Sequence, residues 1–317
     1  MESLKNISTD TLTAPTGDDE NLVLQALLRS SRFSFVLLAP ICVLLGLGTA
    51  WGTIASVNIG MLLLLFLVSV LAHMSVNLLN EYLDFQSGLD LHTQRTPFSG
   101  GTGFLPEKPQ AARYVLWHAL ATLLATCLIG CYLVWQVGIW LLPLGIVGVF
   151  LVLAYTSVLN RFAFLCWAAP GLGFGGVMVL GAHYVLTSQF NSSVFCASLV
   201  VFFLVNNLLL LNQFPDIAAD RQAGRRHLLV RYGVKSGVYA YGLGTLVVPV
   251  IVVAAVINAV WPVWALTALI PWAFSLFSLL TAWRYGERLA EHTPAMAANV
   301  VATLLVPSVL TAVLVLA

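Results

Sequence analysis

The chain has 317 residues, of which 60% are hydrophobic and only 9% charged; a soluble globular chain carries roughly 25% charged residues, so that class is excluded. A formal net charge of +1 provides no basic surplus for a phosphate backbone, and no nucleic-acid partner is expected. What remains is a polytopic membrane protein surrounded by lipid, and its fold class is all-α, because a helix satisfies its backbone polar groups within one segment in hydrocarbon.

Residues 1–28 are polar, lack the basic start and small-residue cleavage site of a signal peptide, and read as a disordered cytoplasmic tail, so the first span is expected to be retained. Residues 29–317 read as a single membrane-embedded domain. Apolar runs of about 20 residues, the length of a spanning helix, fall at 34–53, 57–79, 114–134, 137–157, 163–186, 194–213, 236–258, 261–282 and 298–317, predicting nine helices. Gly138 separates the third from the fourth.

The basic residues check that count. All 14 Lys and Arg precede the first span (Lys5, Arg29, Arg32) or follow the second (Arg95, Lys108, Arg113), fourth (Arg161), sixth (Arg221, Arg225, Arg226, Arg231, Lys235) and eighth (Arg284, Arg288). The connections near 54, 136, 189 and 260 carry none. The positive-inside rule then puts the N-terminus in the cytoplasm and the C-terminus outside. The acids share the basic side, so the chemistry is expected to face the cytoplasm. Cys42, Cys127, Cys131, Cys166 and Cys196 lie in predicted spans without metal-like clustering and are expected to pack as small apolar residues.

Two polar motifs interrupt this apolar chain. Asn80-Glu81-Tyr82-Leu83-Asp84, with Asp90 beyond, closes the second span; Asn212-Gln213-Phe214-Pro215-Asp216, with Asp220 beyond, closes the sixth. Four spans separate them, which returns both to one membrane face and suggests duplication of a four-helix unit. Residues four apart share a helix face, so Asn80 and Asp84 point together, as would Asn212, Asp216 and Asp220 if the helix continued. Pro215 has no amide proton for the carbonyl of Leu211, so a kink or break is expected there. Solvated acids at helix ends are the plainer reading. Against it, facing carboxylates repel one another, and a divalent ion relieves that conflict. Oxygen ligands without Cys or a His pair suit Mg²⁺, which commonly completes its shell with substrate phosphate. Asn80, Asp84, Asp90, Asn212, Asp216 and Asp220 are the candidate ligands, and a diphosphate is the expected substrate group. Arg95, Arg225 and Arg226 are candidate phosphate contacts, although membrane anchoring alone also places Arg in such loops. The long connection 80–113 holds Ser99-Gly100-Gly101-Thr102-Gly103, read either as a flexible linker or as a lid over the site.

These residues resemble the membrane-embedded UbiA-type prenyltransferases, and within them the group that includes 1,4-dihydroxy-2-naphthoate polyprenyltransferases. The first motif, with Gly88 and Asp90, looks like that group's Asn-Asp-x-x-Asp-x-x-x-Gly-x-Asp, with Glu81 in place of Asp. The second, Asp216-x-x-x-Asp220-x-x-x-Gly224-Arg225-Arg226-His227-Leu228, is similar to Asp-x-x-x-Asp-x-x-x-Gly-Lys/Arg-x-Thr-Leu, with His227 where Thr is common. Tyr155-Thr156, Arg161, the Gly171–Gly175 segment and Arg32 extend the likeness. An acid usual before the glycines is absent at Leu165-Cys166-Trp167, and Ser34 stands nearest to an expected Lys.

The resemblance implies a nine-span bundle around a cavity open to lipid, in a bacterial or archaeal cell membrane. It implies Mg²⁺ as cofactor between the two motifs, Asp84 and Asp216 as catalytic, and Arg32, Arg95, Tyr155, Arg161, Arg225 and Arg226 on the diphosphate. The donor would be a polyprenyl diphosphate, and the aromatic acceptor 1,4-dihydroxy-2-naphthoate in menaquinone biosynthesis. Homogentisate, 4-hydroxybenzoate, glycerol phosphate compounds and secondary-metabolite phenols are the alternative acceptors. Trp117, Tyr132, Trp135, Phe174 and Tyr184 could shield an allylic cation or simply anchor and pack, and His73, His118 and His183 are assigned no role. A membrane transporter is the competing class; transporters commonly place ionisable residues at mid-membrane, whereas every acid and base here maps to one end.

Overall fold

The computed structural model describes residues 17–93 and 95–317, and among them every regular element is helical. Eight segments are long and apolar enough to cross a membrane: Ile59–Gln86, Pro109–Val137, Ile139–Ser157, Ala163–Thr187, Ser192–Asn212, Val234–Ile257, Val263–Leu289 and Thr293–Leu316. The first expected span is shorter. It consists of α2 (Phe33–Val36) and α3 (Leu38–Ala50), extended by a 3-10 turn at Trp51–Thr53. Pro40 accounts for the interruption, since it has no N–H for the carbonyl of Val36.

A second difference lies ahead of it. Residues 17–28, expected in a disordered tail, belong to helix α1 (Gly17–Ser30), an amphipathic segment whose Ala26 and Ser30 are fully buried. Its apolar residues pack with α4 (Ile59–Gln86) and with α5 (Phe104–Glu107) and α6 (Ala112–Val137), so tertiary contact supplies what its short, polar sequence lacks. Residues 1–16 of that expected tail lie outside the described ones.

Gly138 ends α6 with φ 104°, a conformation that favours glycine, and α7 (Leu142–Ser157) follows a single 3-10 turn. Then come α8 (Ala163–Gly171), a π-helical stretch (Leu172–Val179), α9 (Leu180–Thr187) and α10 (Ser192–Asn212). After α11 (Ile217–Gln222) and α12 (Leu228–Tyr232) the chain closes with α13 (Val234–Ile257), α14 (Leu269–Tyr285) and α15 (Thr293–Leu316).

Burial ranks the spans. About two-thirds of α10's apolar window is buried (67%), against 11% for the windows of α6 and α7, so α10 is the central post and α6 and α7 present most of their surface outward. Trp117 and Trp135, at 69% and 77% exposure, belong to that outer surface, which assigns them to lipid contact rather than to a cation. Small residues let helices approach the post. A Cβ on Gly175 would fall 2.3 Å from the carbonyl oxygen of Ser198, and one on Gly171 would fall 2.5 Å from that of Phe202. The Asn206 side chain accepts a hydrogen bond from the Gly171 amide at 2.6 Å. Lipid gives helices no hydrophobic reason to associate, so close backbone approach and inter-helix hydrogen bonds hold this bundle. Asn207 donates to the carbonyl of Tyr241, Tyr241 donates to Asn299, and Asn299 donates back to the carbonyl of Asn207, tying α10, α13 and α15.

Replacing Gly175 with Ala forces backbone against backbone, and a loss of about 1–3 kcal/mol is expected. Thermal unfolding of detergent-purified Gly175→Ala beside the parent checks this; an unchanged midpoint would refute the close-packing account.

Candidate active site

The last turns of α4 present Asn80, Glu81 and Asp84, and Gly88, at φ 77°, turns the chain into a 3-10 turn (Leu89–Leu91) that carries Asp90. The second motif is built differently from a continuous helix. After Asn212 the amides of Gln213, Phe214 and Asp216 bond three residues back, to Leu210, Leu211 and Gln213, so α10 unwinds at Pro215 and α11 restarts at Ile217 with Asp220. Asn212, Asp216 and Asp220 therefore share no single helical stripe; the expected break is what occurs. Gly224, at φ 79°, reverses the chain and delivers Arg225 back to the acids.

Arg225 joins the two motifs. Its Nη1 donates to Asp220 Oδ1 at 3.0 Å and its Nη2 donates to Asp84 Oδ1, while His227 Nε2 lies 2.9 Å from Asp220 Oδ2. Residues 225–227 lie outside any regular element, and His227 is extended at φ -65° and ψ 175°. Arg225 and His227 meet Asp220, whereas Arg226 is exposed. Asn80 is fixed by Thr156, whose hydroxyl donates to Asn80 Oδ1 at 2.8 Å.

One partly open cavity, with about 750 Å³ of space free of protein atoms, gathers Arg32, Asn80, Asp84, Asp90, Tyr155, Asn212, Asp216, Asp220 and Arg225 on its walls. Three candidate arginine contacts are not brought there. Arg95 lies against Gly103 and 3.9 Å from Glu107, Arg161 is the exposed last residue of the 3-10 turn Leu159–Arg161, and Arg226 engages the site only through its amide, which donates to the carbonyl of Asn160.

Glu81, noted in the sequence only as a departure, is fully buried. Its carboxylate accepts from Arg32 Nη2 at 3.3 Å, from the Thr102 amide at 3.2 Å and from the Thr102 hydroxyl. An ionisable residue one position past Asn80, still within an apolar span, was the signal for it. Through Thr102 it fastens the glycine loop, which lines the cavity and is therefore no free linker. Gly100 and Gly101 line the same cavity as Asp216, and a Cβ on Gly101, at φ 71°, would fall 2.7 Å from Asp90 Oδ1.

Burial, reinforced by Asp84 and Glu81, pushes the Asp90 carboxyl up to about 7. Burial and Asp220 push Asp216 up to about 7 as well. Burial alone would lower Arg225, but Asp84 and Asp220 outweigh it and hold the guanidinium well above its ordinary value. The cavity thus has more buried negative charge than one Arg relieves. Asp90 Oδ2, Asn212 Oδ1 and Asp216 Oδ1 are buried without a hydrogen-bond partner. These orphaned oxygens fit a hard cation. Among the described residues no three acidic, His or Cys side chains are grouped closely enough to hold a metal ion by themselves.

A helical membrane bundle holding an acid-lined cavity at the ends of α4 and α10 is the class these features define. Residues 38–301 match the sequence model of the UbiA prenyltransferase family, and the chain belongs to that family. It is a prenyltransferase. A 1,4-dihydroxy-2-naphthoate octaprenyltransferase of Bacillus subtilis (strain 168) is 29% identical over 221 residues, 68% of this chain and 67% of that relative. An enzyme of the same name from Haemophilus influenzae (strain ATCC 51907 / DSM 11121 / KW20 / Rd) is 25% identical over 203 residues, 59% of this chain and 62% of that relative. Among solved structures, a digeranylgeranylglyceryl phosphate synthase superposes with TM-score 0.66 at 15% identity over 93% of this chain and 99% of that one. A UbiA homolog from Archaeoglobus fulgidus bound to DMAPP and Mg²⁺ gives TM-score 0.65 at 14% identity, over 91% and 99%. At such identities the structures share the fold.

Arg225→Gln leaves Asp84 and Asp220 facing one another uncompensated, and breaking a buried pair costs about 3 kcal/mol. The variant is expected to unfold at lower temperature in a chelator and to recover part of the loss on adding Mg²⁺. A midpoint equal to the parent's in chelator would refute the clamp.

Proposed function

We propose that the protein transfers a polyprenyl group from a polyprenyl diphosphate to 1,4-dihydroxy-2-naphthoate, in the cytoplasm-facing cavity, with Mg²⁺ as cofactor. The observation that carries this is the single cavity lined by both acidic motifs and by Arg225. The names of the two curated relatives favour this acceptor over homogentisate, 4-hydroxybenzoate or a glycerol phosphate.

Asp84, Asp90, Asn212, Asp216 and Asp220, with Asn80, would hold Mg²⁺, which supplies positive charge for the diphosphate that develops as leaving group. Arg225 and Arg32 offer guanidinium donors to the phosphate oxygens. The Tyr155 hydroxyl and the amides of the Gly100–Gly101 loop add neutral donors on the same walls. When the C–O bond of the allylic diphosphate breaks, the bonding electrons leave with diphosphate, and the allylic cation is attacked by an electron-rich ring carbon of the acceptor. For a naphthoate the carboxylate is lost as CO₂ from that carbon, restoring aromaticity. The glycine loop, fastened by Glu81 and packed against Asp90, excludes water that would otherwise capture the cation.

Membranes containing the protein, given geranylgeranyl diphosphate, Mg²⁺ and a panel of acceptors, are expected to yield prenylated naphthoquinol by mass. Asp84→Asn and Asp216→Asn are each expected to lower the rate by at least about a hundredfold. Prenylation of another phenol with dihydroxynaphthoate untouched would overturn the acceptor assignment, and transfer surviving both substitutions would overturn the site.

The pH dependence follows from Asp90 and Asp216. Their folded values near 7 exceed the unfolded carboxylate value near 4, so in metal-free protein they lower stability as pH rises from about 4 to 7, and the penalty is complete above 7. A cation needs the ionised forms, so Mg²⁺ affinity is expected to rise with pH between about 6 and 8, with proton release on binding. Calorimetric titration in buffers of different ionisation enthalpy measures both; affinity flat across that range would contradict the assignment of these two acids.

A further inference from the structure

Basic side chains at the end of the bundle that holds the two motifs differ in how they are partnered. Arg29, Arg32, Arg95 and Arg225 each have a carboxylate partner. Arg231, Lys235, Arg284 and Arg288 are exposed and, among the described residues, form no ion pair. None of these four lines the acidic cavity.

The fold gathers them at one corner. Arg231 lies in the last turn of α12, Lys235 opens α13, Arg284 closes α14, and Arg288 stands on the 3-10 turn Gly286–Glu291 that follows. A Cβ on Gly286 would fall 3.7 Å from Val234 Cγ1, so the end of α14 meets the start of α13. One turn further in, Tyr239 and Trp283 meet edge-on with centroids 5.7 Å apart. Lys235 precedes Tyr239 by four residues on one helix face, and Arg284 is next to Trp283. Arg284 is also held over the Tyr285 ring at 5.6 Å, and that ring stacks on His292 at 3.6 Å. Glu287 and Glu291, exposed on the 3-10 turn, offset only part of the charge.

Membrane anchoring explains single cations and scattered aromatic residues at this end. It does not require unpaired cations from three successive helices to converge on one cleft. Leu243 on α13 and Leu280 on α14, 59% and 62% exposed, continue inward from Tyr239 and Trp283. From the rim inward the corner therefore runs cations, aromatic rings, leucines, which is the order of phosphate, glycerol backbone and acyl chain in a phospholipid. A free phosphate has no use for the lower two layers.

We infer that the α13–α14 corner binds an anionic phospholipid, with its phosphate on Lys235 and Arg284, its ester region against Tyr239 and Trp283, and an acyl chain along Leu243 and Leu280. Ammonium and guanidinium groups bind phosphate oxygens through charge-assisted hydrogen bonds, and basic clefts between spans take such headgroups. The lipid bridges α13 to α14, so its binding stabilises the folded bundle.

In the test, the purified full-length chain in detergent is titrated with phosphatidylglycerol or phosphatidylcholine. Native mass spectrometry counts the retained lipid while thermal unfolding is followed in parallel. The parent is expected to retain one phosphatidylglycerol and to rise in midpoint with that lipid alone. Lys235→Gln combined with Arg284→Gln is expected to weaken retention about thirtyfold, the joint effect of two surface cations. Arg113→Gln combined with Arg161→Gln removes the same charge from other exposed places at this end, and retention is expected to stay at the parent's level. Equal retention of phosphatidylcholine, or an equal loss in the Arg113 and Arg161 pair, overturns the site by making the attraction general. A midpoint raised as far by inorganic phosphate overturns the lipid as occupant. A photoreactive phosphatidylglycerol on the unmutated chain is expected to label residues 235–243 and 280–288, and labelling spread evenly over the spans refutes the site whatever the variants do.

Discussion

Four carboxylates, Asp84, Asp90, Asp216 and Asp220, line one buried cavity, and the rest of the site is arranged around the cost of keeping them there. Arg225 meets part of that cost by bonding Asp84 from one motif and Asp220 from the other. The pair spans the chain, so the ion pair is also a tertiary link between the ends of α4 and α10. Its geometry depends on Pro215 and Gly224: the first stops α10 in time for Asp216 to turn inward, and the second reverses the chain so that Arg225 returns to the acids. The charge left over is what the proposed Mg²⁺ would neutralise.

Glu81 plays the corresponding part on the other wall. With Arg32 and Thr102 as partners it is a satisfied buried charge, and it connects the start of the first span, α4 and the glycine loop. Loop and helix end thereby form one continuous surface over the acids. Arg32 belongs to this surface and also to a neighbouring, mostly apolar cavity, so a single guanidinium stands on the wall of both. The bundle below is rigid for a separate reason: glycines at 171 and 175 and the Asn206 and Asn207 hydrogen bonds hold the π-helical stretch and α13 close against α10.

The spans could be read from the sequence because hydrocarbon demands long apolar runs, and the two motifs could be read because charged residues are so rare in this chain. The first span was the exception, shortened where Pro40 interrupts it. Spacing also set Asn80 and Asp84 on one face, where both line the cavity, and Pro215 marked the break that occurs. It could not separate Arg225 from Arg226, since both fit the motif and only the course of the chain after Gly224 decides which one meets the acids. Arg95 was drawn in by the same local rule and Arg161 by the resemblance, and they stand elsewhere because Arg95 faces Glu107 and Arg161 is the exposed end of its 3-10 turn. Helix α1 was missed because its stability comes from contacts with α4, α5 and α6 rather than from its own residues.

What the sequence determined by itself is therefore everything governed by solvent and local backbone chemistry: an all-helical membrane protein, with acids collected at the ends of two spans and a proline beside one of them. Only the tertiary structure decided which charges meet, that Glu81 holds the glycine loop, and that the ends of α13 and α14 meet beside Tyr239 and Trp283. Those outcomes depend on how helices far apart in the chain are rotated against one another, and residue order along one helix contains no measure of that rotation.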